Sequence, residues 1–239
     1  MLHNENVVDR ALTRHDGLKP DLQVKLAAGL LEMGLQIDVE KQAKLIAYLL
    51  LIDKWNKVHN LTAIRDPLEM VILHLLDSLS VLPHVQDLAP KYLLDVGAGA
   101  GLPSIPLAIC LPELQVTAID SVAKKTSFMR QVKGELGLIN FQVEVGRVEA
   151  LKKDVKFDVI ISRAFSEIGL FVKLTKHLLA SNGLWLAMKG VVPEHEFEHQ
   201  DFKSAGVQVN KIEGLNVASL GAERHLVFLS ANSLSQLKS

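Results

Sequence analysis

A chain of 239 residues, 49% hydrophobic and 22% charged, is long enough for one large α/β domain, alone or with a helical appendage, and too apolar for disorder on a large scale. Its single cysteine, Cys110, excludes a disulfide framework and a cysteine zinc site and fits a reducing compartment. The formal net charge is −1, yet residues 1–94 carry 10 Lys/Arg against 12 Asp/Glu, residues 95–190 carry 12 against 9, and residues 191–239 carry 4 against 6. The central segment therefore permits a polyanionic partner.

Residues 1–22 are polar and lack periodicity, which reads as a loosely ordered extension. Their acids Glu5, Asp9 and Asp16 argue against a targeting peptide, and no apolar run reaches the roughly 18 residues that span a bilayer, so a cytoplasmic protein is expected. Leu22, Leu26, Leu30 and Met33 have helical spacing, with Gly34 as a stop. Asp38 then N-caps a helix to about Val58 with Leu45, Leu49, Ile52 and Trp55 on one face. Pro67 opens a third helix, carrying Met70, Leu73, Leu76 and Leu79 to about Leu82. Together residues 23–90 form an N-terminal helical cap.

After Pro90 the rhythm changes. Strands are expected at Tyr92–Val96, Val116–Asp120, Phe141–Val145, Phe157–Ser162 and Leu184–Met188. Helices fall between them at about Ser104–Leu111, Ala123–Leu136 and Ile168–Leu179, the last stopped by Asn182-Gly183. Val207–Ile212 and His225–Leu229 close the sheet, antiparallel. The fold class is α/β, a Rossmann-like sheet of seven strands over residues 91–232, with 233–239 a tail.

Gly97-x-Gly99-x-Gly101, placed between a strand and a helix, lets the backbone approach a ligand that a Cβ would exclude. Asp120 follows at the end of the second strand, where a carboxylate can accept both hydroxyls of an adenosine ribose. The spacing is not the Gly-x-Gly-x-x-Gly of dinucleotide sites, and Asp95 just before the loop sits badly near a pyrophosphate. An acid there suits the amino group of S-adenosylmethionine, which is the cofactor expected.

Seven separated segments resemble the RsmG (GidB) family of bacterial 16S rRNA methyltransferases: NKVHNLTAIRD (Asn56–Asp66), HLLDS (His74–Ser78), DVGAGAGLPSIP (Asp95–Pro106), GRVE (Gly146–Glu149), SRAF (Ser162–Phe165), MKG (Met188–Gly190) and ERHLV (Glu223–Val227). The resemblance covers about residues 23–232. The resemblance implies a seven-strand S-adenosylmethionine-dependent fold that methylates N7 of a guanine in the 530 loop of 16S rRNA. It implies cofactor contacts at Gly97, Leu102, Val148, Glu149 and Arg163, and 16S rRNA or the small ribosomal subunit as partner, with a monomeric, metal-free enzyme expected. Two positions depart from the family: Ser104 stands where glycine is common, and Leu73 where a basic residue is usual.

Guanine N7 carries a lone pair and no proton, so no catalytic acid/base dyad is expected, and none stands out. A cytosine-C5 enzyme would need a cysteine nucleophile, whereas Cys110 falls within a predicted helix and reads as packing. The Asn/Asp-Pro-Pro-aromatic signature of exocyclic-amine enzymes is absent after the fourth strand. Arg163 reads as a positioning group, a contact to cofactor carboxylate or RNA, or a surface ion pair. Phe165 reads as a stacking platform for a flipped base or as core, and Lys189 as a phosphate contact or a solvated lysine. Lys124, Lys125, Arg130 and Lys133 on one helix, with Lys152 and Lys153, are the candidates for an RNA footprint. His74 and Asp77 lie one helical turn apart without a third ligand, which favours a polar contact to the cofactor domain over a metal.

Overall fold

The computed structural model describes residues 19–163, 165 and 167–232, with Asp201 described by its backbone alone. Of the expected N-terminal extension, residues 1–18 lie outside the described residues, as does the expected tail 233–239. The extension ends sooner than expected, because Lys19 already opens helix α1 (Lys19–Glu32) and Leu22 is buried beneath it.

Helix α2 (Val39–His59) is N-capped by Asp38, whose carboxylate accepts the Lys41 N–H at 2.8 Å. Helix α3 occupies 67–79 and is not uniform. An α-turn (Pro67–Met70) passes into a π-helical stretch (Val71–Leu76) and back into an α-turn (Asp77–Leu79). Such π-segments occur often at functional sites, since the extra residue re-aims the side chains around it. Helix α4 (Leu82–Leu88) follows where a single helix to Leu82 was expected. The segment Pro67–Leu88 is apolar enough, by length and composition, to cross a membrane. His74 and Asp77 interrupt it, so no single uninterrupted apolar run reaches the spanning length. In the fold 67% of its most apolar window is buried inside the protein.

Seven strands follow, in the order β3-β2-β1-β4-β5-β7-β6. Strands β1 (Tyr92–Val96), β2 (Gln115–Asp120), β3 (Phe141–Val145), β4 (Phe157–Ser162) and β5 (Leu179–Lys189) are parallel, and β7 (His225–Ala231) runs antiparallel to both β5 and β6 (Val207–Gly214). Helices α5 (Ser104–Cys110) and α6 (Ala123–Leu136) lie where expected. The stop at Asn182-Gly183 does not. Helix α7 (Ile168–Thr175) ends early in a short 3-10 turn, and Asn182-Gly183 sits inside β5, which begins at Leu179. Glycine here serves close approach rather than termination: a Cβ on Gly183 would lie 3.0 Å from the Asp158 carbonyl of neighbouring β4. Two short helices after β5, α8 (Glu194–Glu198) and α9 (Gln200–Ser204), were not foreseen.

The core has two parts, one on each face of the sheet. One joins α1–α6 to the sheet, with Trp55 packing edge-on to Phe128 at 5.4 Å. The other packs α7 and α9 on the opposite face around Trp185, whose indole N–H donates to Thr175 Oγ1 at 2.8 Å. Chain order reverses between β1 and β4, and the C-terminal ends of strands at such a switch point are where open α/β sheets bind ligands.

Candidate active site

The loop after β1 is held from three sides. The Gly97 and Ala98 N–H groups donate to the Ile119 carbonyl of β2 at 2.9 and 3.2 Å. The Gly99 N–H donates to Asp120 Oδ2 at 2.9 Å, and the other Asp120 oxygen accepts the Val122 N–H at 2.8 Å. From the cap, the buried Tyr48 hydroxyl donates to the Ala100 carbonyl at 2.7 Å. Gly101 has φ +94°, and a Cβ there would lie 2.3 Å from Ile105 Cδ1, so both backbone and space demand glycine.

Beneath the loop, Asp95 is fully buried. One carboxylate oxygen accepts the Ser104 N–H at 3.3 Å and the other has no partner, as is true of the Ser104 hydroxyl. Burial pushes the Asp95 carboxyl up to about 7, against opposing contributions from Ser104 and Arg163.

A cavity of about 440 Å³ opens at the C-terminal ends of β4 and β5, lined by Ile64, Leu73, His74, Asp77, Arg163, Met188, Lys189, Gly190 and Arg224. Its cations are held in place by carboxylates. Arg163 Nη1 donates to Asp77 Oδ2 at 2.9 Å and to the Leu73 carbonyl at 3.2 Å, while Arg224 Nε donates to Asp77 Oδ1 at 2.7 Å. Asp77 is thus shared by two guanidiniums and joins the cap to the end of β4 and to the segment before β7. The Lys189 ammonium donates to Glu196 Oε1 at 2.8 Å. His74 Nε2 lies 3.0 Å from Thr62 Oγ1, its Nδ1 is without a partner, and burial pushes its pKa down to about 4. Thr62 belongs to a loop organised by Asn56, whose side chain binds the Ile64 carbonyl and the Thr62 N–H.

The model of the family described as rRNA small subunit methyltransferase G matches residues 41–227. The chain is 60% identical to the Ribosomal RNA small subunit methyltransferase G of Methylobacillus flagellatus over 88% of this chain and 98% of that one. It is 51% identical to the protein of the same name from Aromatoleum aromaticum, over 87% and 98% of the two chains. The chain belongs to this family. As a member of the rRNA small subunit methyltransferase G family it is an rRNA methyltransferase, and S-adenosylmethionine is the methyl donor of its class. Solved structures agree on the fold. A Klebsiella pneumoniae chain assigned as an O-methyltransferase superposes with a TM-score of 0.58 at 15% identity, over 87% of this chain and 97% of that one. The glycopeptide N-methyltransferase MtfA complexed with S-adenosylmethionine gives 0.56 at 11% identity, over 67% and 96%.

The residues present fit that cofactor. A Cβ at Gly99 would project into open space, meeting only the Gly97 carbonyl at 4.0 Å, and the Asp95 oxygen without a partner is a buried group that an ammonium donor would satisfy. Asp120 does more than its spacing suggested, since both oxygens already brace backbone N–H groups; a carboxylate's remaining lone pairs leave room for ribose hydroxyls. Gly97, Gly99, Gly101 and Leu102 form the loop itself. Val148 and Glu149 sit on a 3-10 turn after β3, Val148 buried and Glu149 paired with Arg147 at 3.5 Å. Ser104, the departure from glycine, is accommodated with no exposure at all.

The polyanion candidates separate. Lys124 donates to the His59 carbonyl at 3.0 Å, joining α6 to the end of α2, and Lys125 lies 3.9 Å from Asp120 on the ligand side of the sheet. Arg130 and Lys133 continue along α6, away from its N-terminus. Lys153 pairs with Glu144 and lines a second cavity of about 240 Å³ at the opposite, N-terminal ends of β1, β2 and β4, next in sequence to Lys152. Phe165 packs on Phe171 with ring centroids 5.3 Å apart and is half-buried. Lys189 is neither free nor solvated, being held by Glu196 with only 11% of its side chain exposed. Arg163 meets Asp77 rather than a surface acid, and the foreseen polar contact from the His74/Asp77 turn to the cofactor domain is this ion pair. Arg224 and Glu196 were not foreseen as site residues, and Asp77 was foreseen only as a polar contact to the cofactor domain. Asp77 and Arg224 lie in the HLLDS and ERHLV segments, whereas Glu196 lies in none of the seven. Among the described residues no group of three His, Cys, Asp or Glu could hold a metal ion.

Proposed function

We propose that this chain methylates N7 of guanine 527 in the 530 loop of 16S rRNA, as free RNA or within a small-subunit particle, by direct in-line attack of N7 and without a general base. The observation that carries this reading is the chemistry of the cavity wall. Among its described residues the one carboxylate, Asp77, is occupied on both oxygens by arginines, and the one imidazole, His74, is too weakly basic at a pKa of about 4 to take up a proton near neutrality. Such a wall suits an acceptor nitrogen with an exposed lone pair and nothing to remove. When bound, S-adenosylmethionine supplies an electrophilic methyl group on a sulfonium sulfur.

The chain's own residues bind and align. Leu73, Ile64 and Met188 offer apolar walls to a base turned out of its stack. Arg163, Arg224 and Lys189 give the cavity a positive rim for the RNA backbone. Alignment of this kind supplies roughly 7–11 kcal/mol of barrier reduction in favourable cases. Cys110 offers no competing covalent route, because it is buried in α5 with its thiol pushed up to about 12. The test is methyl transfer to small-subunit RNA from cells lacking this gene, with N7-methylguanine mapped by borohydride and aniline cleavage. One new cleavage in the 530 loop is expected; methylation that leaves no cleavable guanine would overturn the assignment.

A further inference from the structure

One buried carboxylate outside the cavity wall is committed to it. Glu196 in α8 is 8% exposed. Its Oε1 accepts from the Lys189 ammonium at 2.8 Å and its Oε2 from the Ile168 N–H at 2.6 Å, at the start of α7. The Lys189 ammonium donates as well to the Phe165 carbonyl at 3.2 Å. One side chain therefore ties together the lysine at the end of β5, the first turn of α7 and, through that lysine, the Phe165 carbonyl. The N-cap position of α7, Glu167, makes no side-chain capping bond, so the helix's first N–H is satisfied from 28 residues away.

Stability alone is a poor reason for this arrangement. A Lys–Glu pair withdrawn from water gains little over an apolar pair of the same volume. What the distant carboxylate adds is position. We propose that Glu196 is a positioning residue for the methyl-acceptor cavity, fixing the Lys189 ammonium and, through it, the Phe165 carbonyl, while touching neither RNA nor cofactor. This rests on the reading of the cavity as the acceptor site.

The test is a double-mutant cycle on methyl incorporation into small-subunit rRNA, counted whichever base receives it, with Glu196→Gln, Lys189→Met and the pair. Glu196→Gln is expected to lower kcat roughly tenfold or more, the scale of a small misplacement. S-adenosylhomocysteine affinity by calorimetry is expected to stay within about twofold, and the Ile168 amide to exchange faster with solvent. If Glu196 acts through Lys189, the pair is no worse than Lys189→Met alone. Wild-type kcat in Glu196→Gln, or losses that multiply in the pair, overturns the proposal. Should the glutamine variant not fold, Glu196→Asp, which keeps the charge and shortens the reach, carries the same expectations. Failure of the underlying functional reading shows differently, as no incorporation by the unmutated chain, and the role of Glu196 falls with it.

Discussion

The two halves of the sheet's ligand edge are built on opposite principles. On the β1–β2 side the charged groups are acids, Asp95 and Asp120, and what they hold is backbone: the N–H groups of Gly99, Ser104 and Val122. On the β4–β5 side the charged groups are cations, Arg163, Lys189 and Arg224, and each is gripped by a buried carboxylate, Asp77 or Glu196. The first half shapes a loop; the second pre-aims long side chains that would otherwise lose about 2 kcal/mol of rotamer entropy each on ordering. The β1–β2 half thus depends on backbone conformation, and the β4–β5 half on ion pairs spanning distant segments.

That contrast can be broken most severely at Gly101. Gly101→Ala forces a side chain into φ +94° and against Ile105, a strain and overpacking cost of about 2–4 kcal/mol. Urea unfolding is expected to show it together with loss of S-adenosylhomocysteine binding; near-normal affinity would mean the loop tolerates a Cβ. On the other half, Asp77→Ala leaves two arginines without their shared partner. Full loss of a buried pair costs about 3–5 kcal/mol, and because the guanidinium side chains are 25–29% exposed about 1–3 kcal/mol is expected here. The signature is split kinetics, with kcat for RNA falling while cofactor affinity holds.

The pH response sharpens the comparison further. Asp95, pushed up to about 7 from 3.8, keeps in the folded chain a proton that the unfolded chain releases. Its contribution to stability therefore falls as pH rises between about 4 and 7. His74, pushed down to about 4 from 6.5, has the opposite sign: the unfolded chain binds the extra proton, and stability rises with pH over about 4 to 6.5. Asp95→Asn leaves only the rise. Denaturation at pH 5 and pH 7 should show the wild type losing stability relative to this variant by up to about 1.4 kcal/mol per pH unit. If Asp95 meets the ammonium of the cofactor, affinity tightens through pH 7 in the wild type and the Asp95→Asn variant lacks that component.

The smallest effect is expected at Lys152 and Lys153. Lys153 faces the opposite end of the sheet, in a partly exposed pair with Glu144 of a kind that contributes under about 1 kcal/mol. Substituting both by Ala is expected to leave the KM for RNA within about twofold, while Lys124→Ala with Lys125→Ala raises it. A large rise from the first pair alone would move the RNA to the other edge.

The same contrast explains what was legible in the chain. The five parallel strands were readable as short apolar or, for Phe141–Val145, alternating runs with their own punctuation, and Asp95 to Asp120 falls within a single βαβ unit. The Asp77 ion pairs were only half-readable: a polar contact from that turn was foreseen, but Arg224 lies 147 residues from Asp77, a separation no periodicity reports. Glu196 was invisible for a related reason, since α8 is five residues long and too short to show a helical pattern. Asn182-Gly183 misled because a turn-like dipeptide and a glycine required by close strand packing look alike in one sequence. The π-helical stretch of α3 could not be told from an α-helix by apolar spacing alone.

The central claim, that the acceptor is a ring nitrogen needing alignment and no base, is tested most directly with 16S rRNA carrying 7-deazaguanine at the target position. The account predicts that this RNA competes with the natural substrate at a similar concentration and accepts no methyl group, because the nucleophilic nitrogen is replaced by carbon. Methylation of the 7-deazaguanine RNA at the natural rate would contradict it.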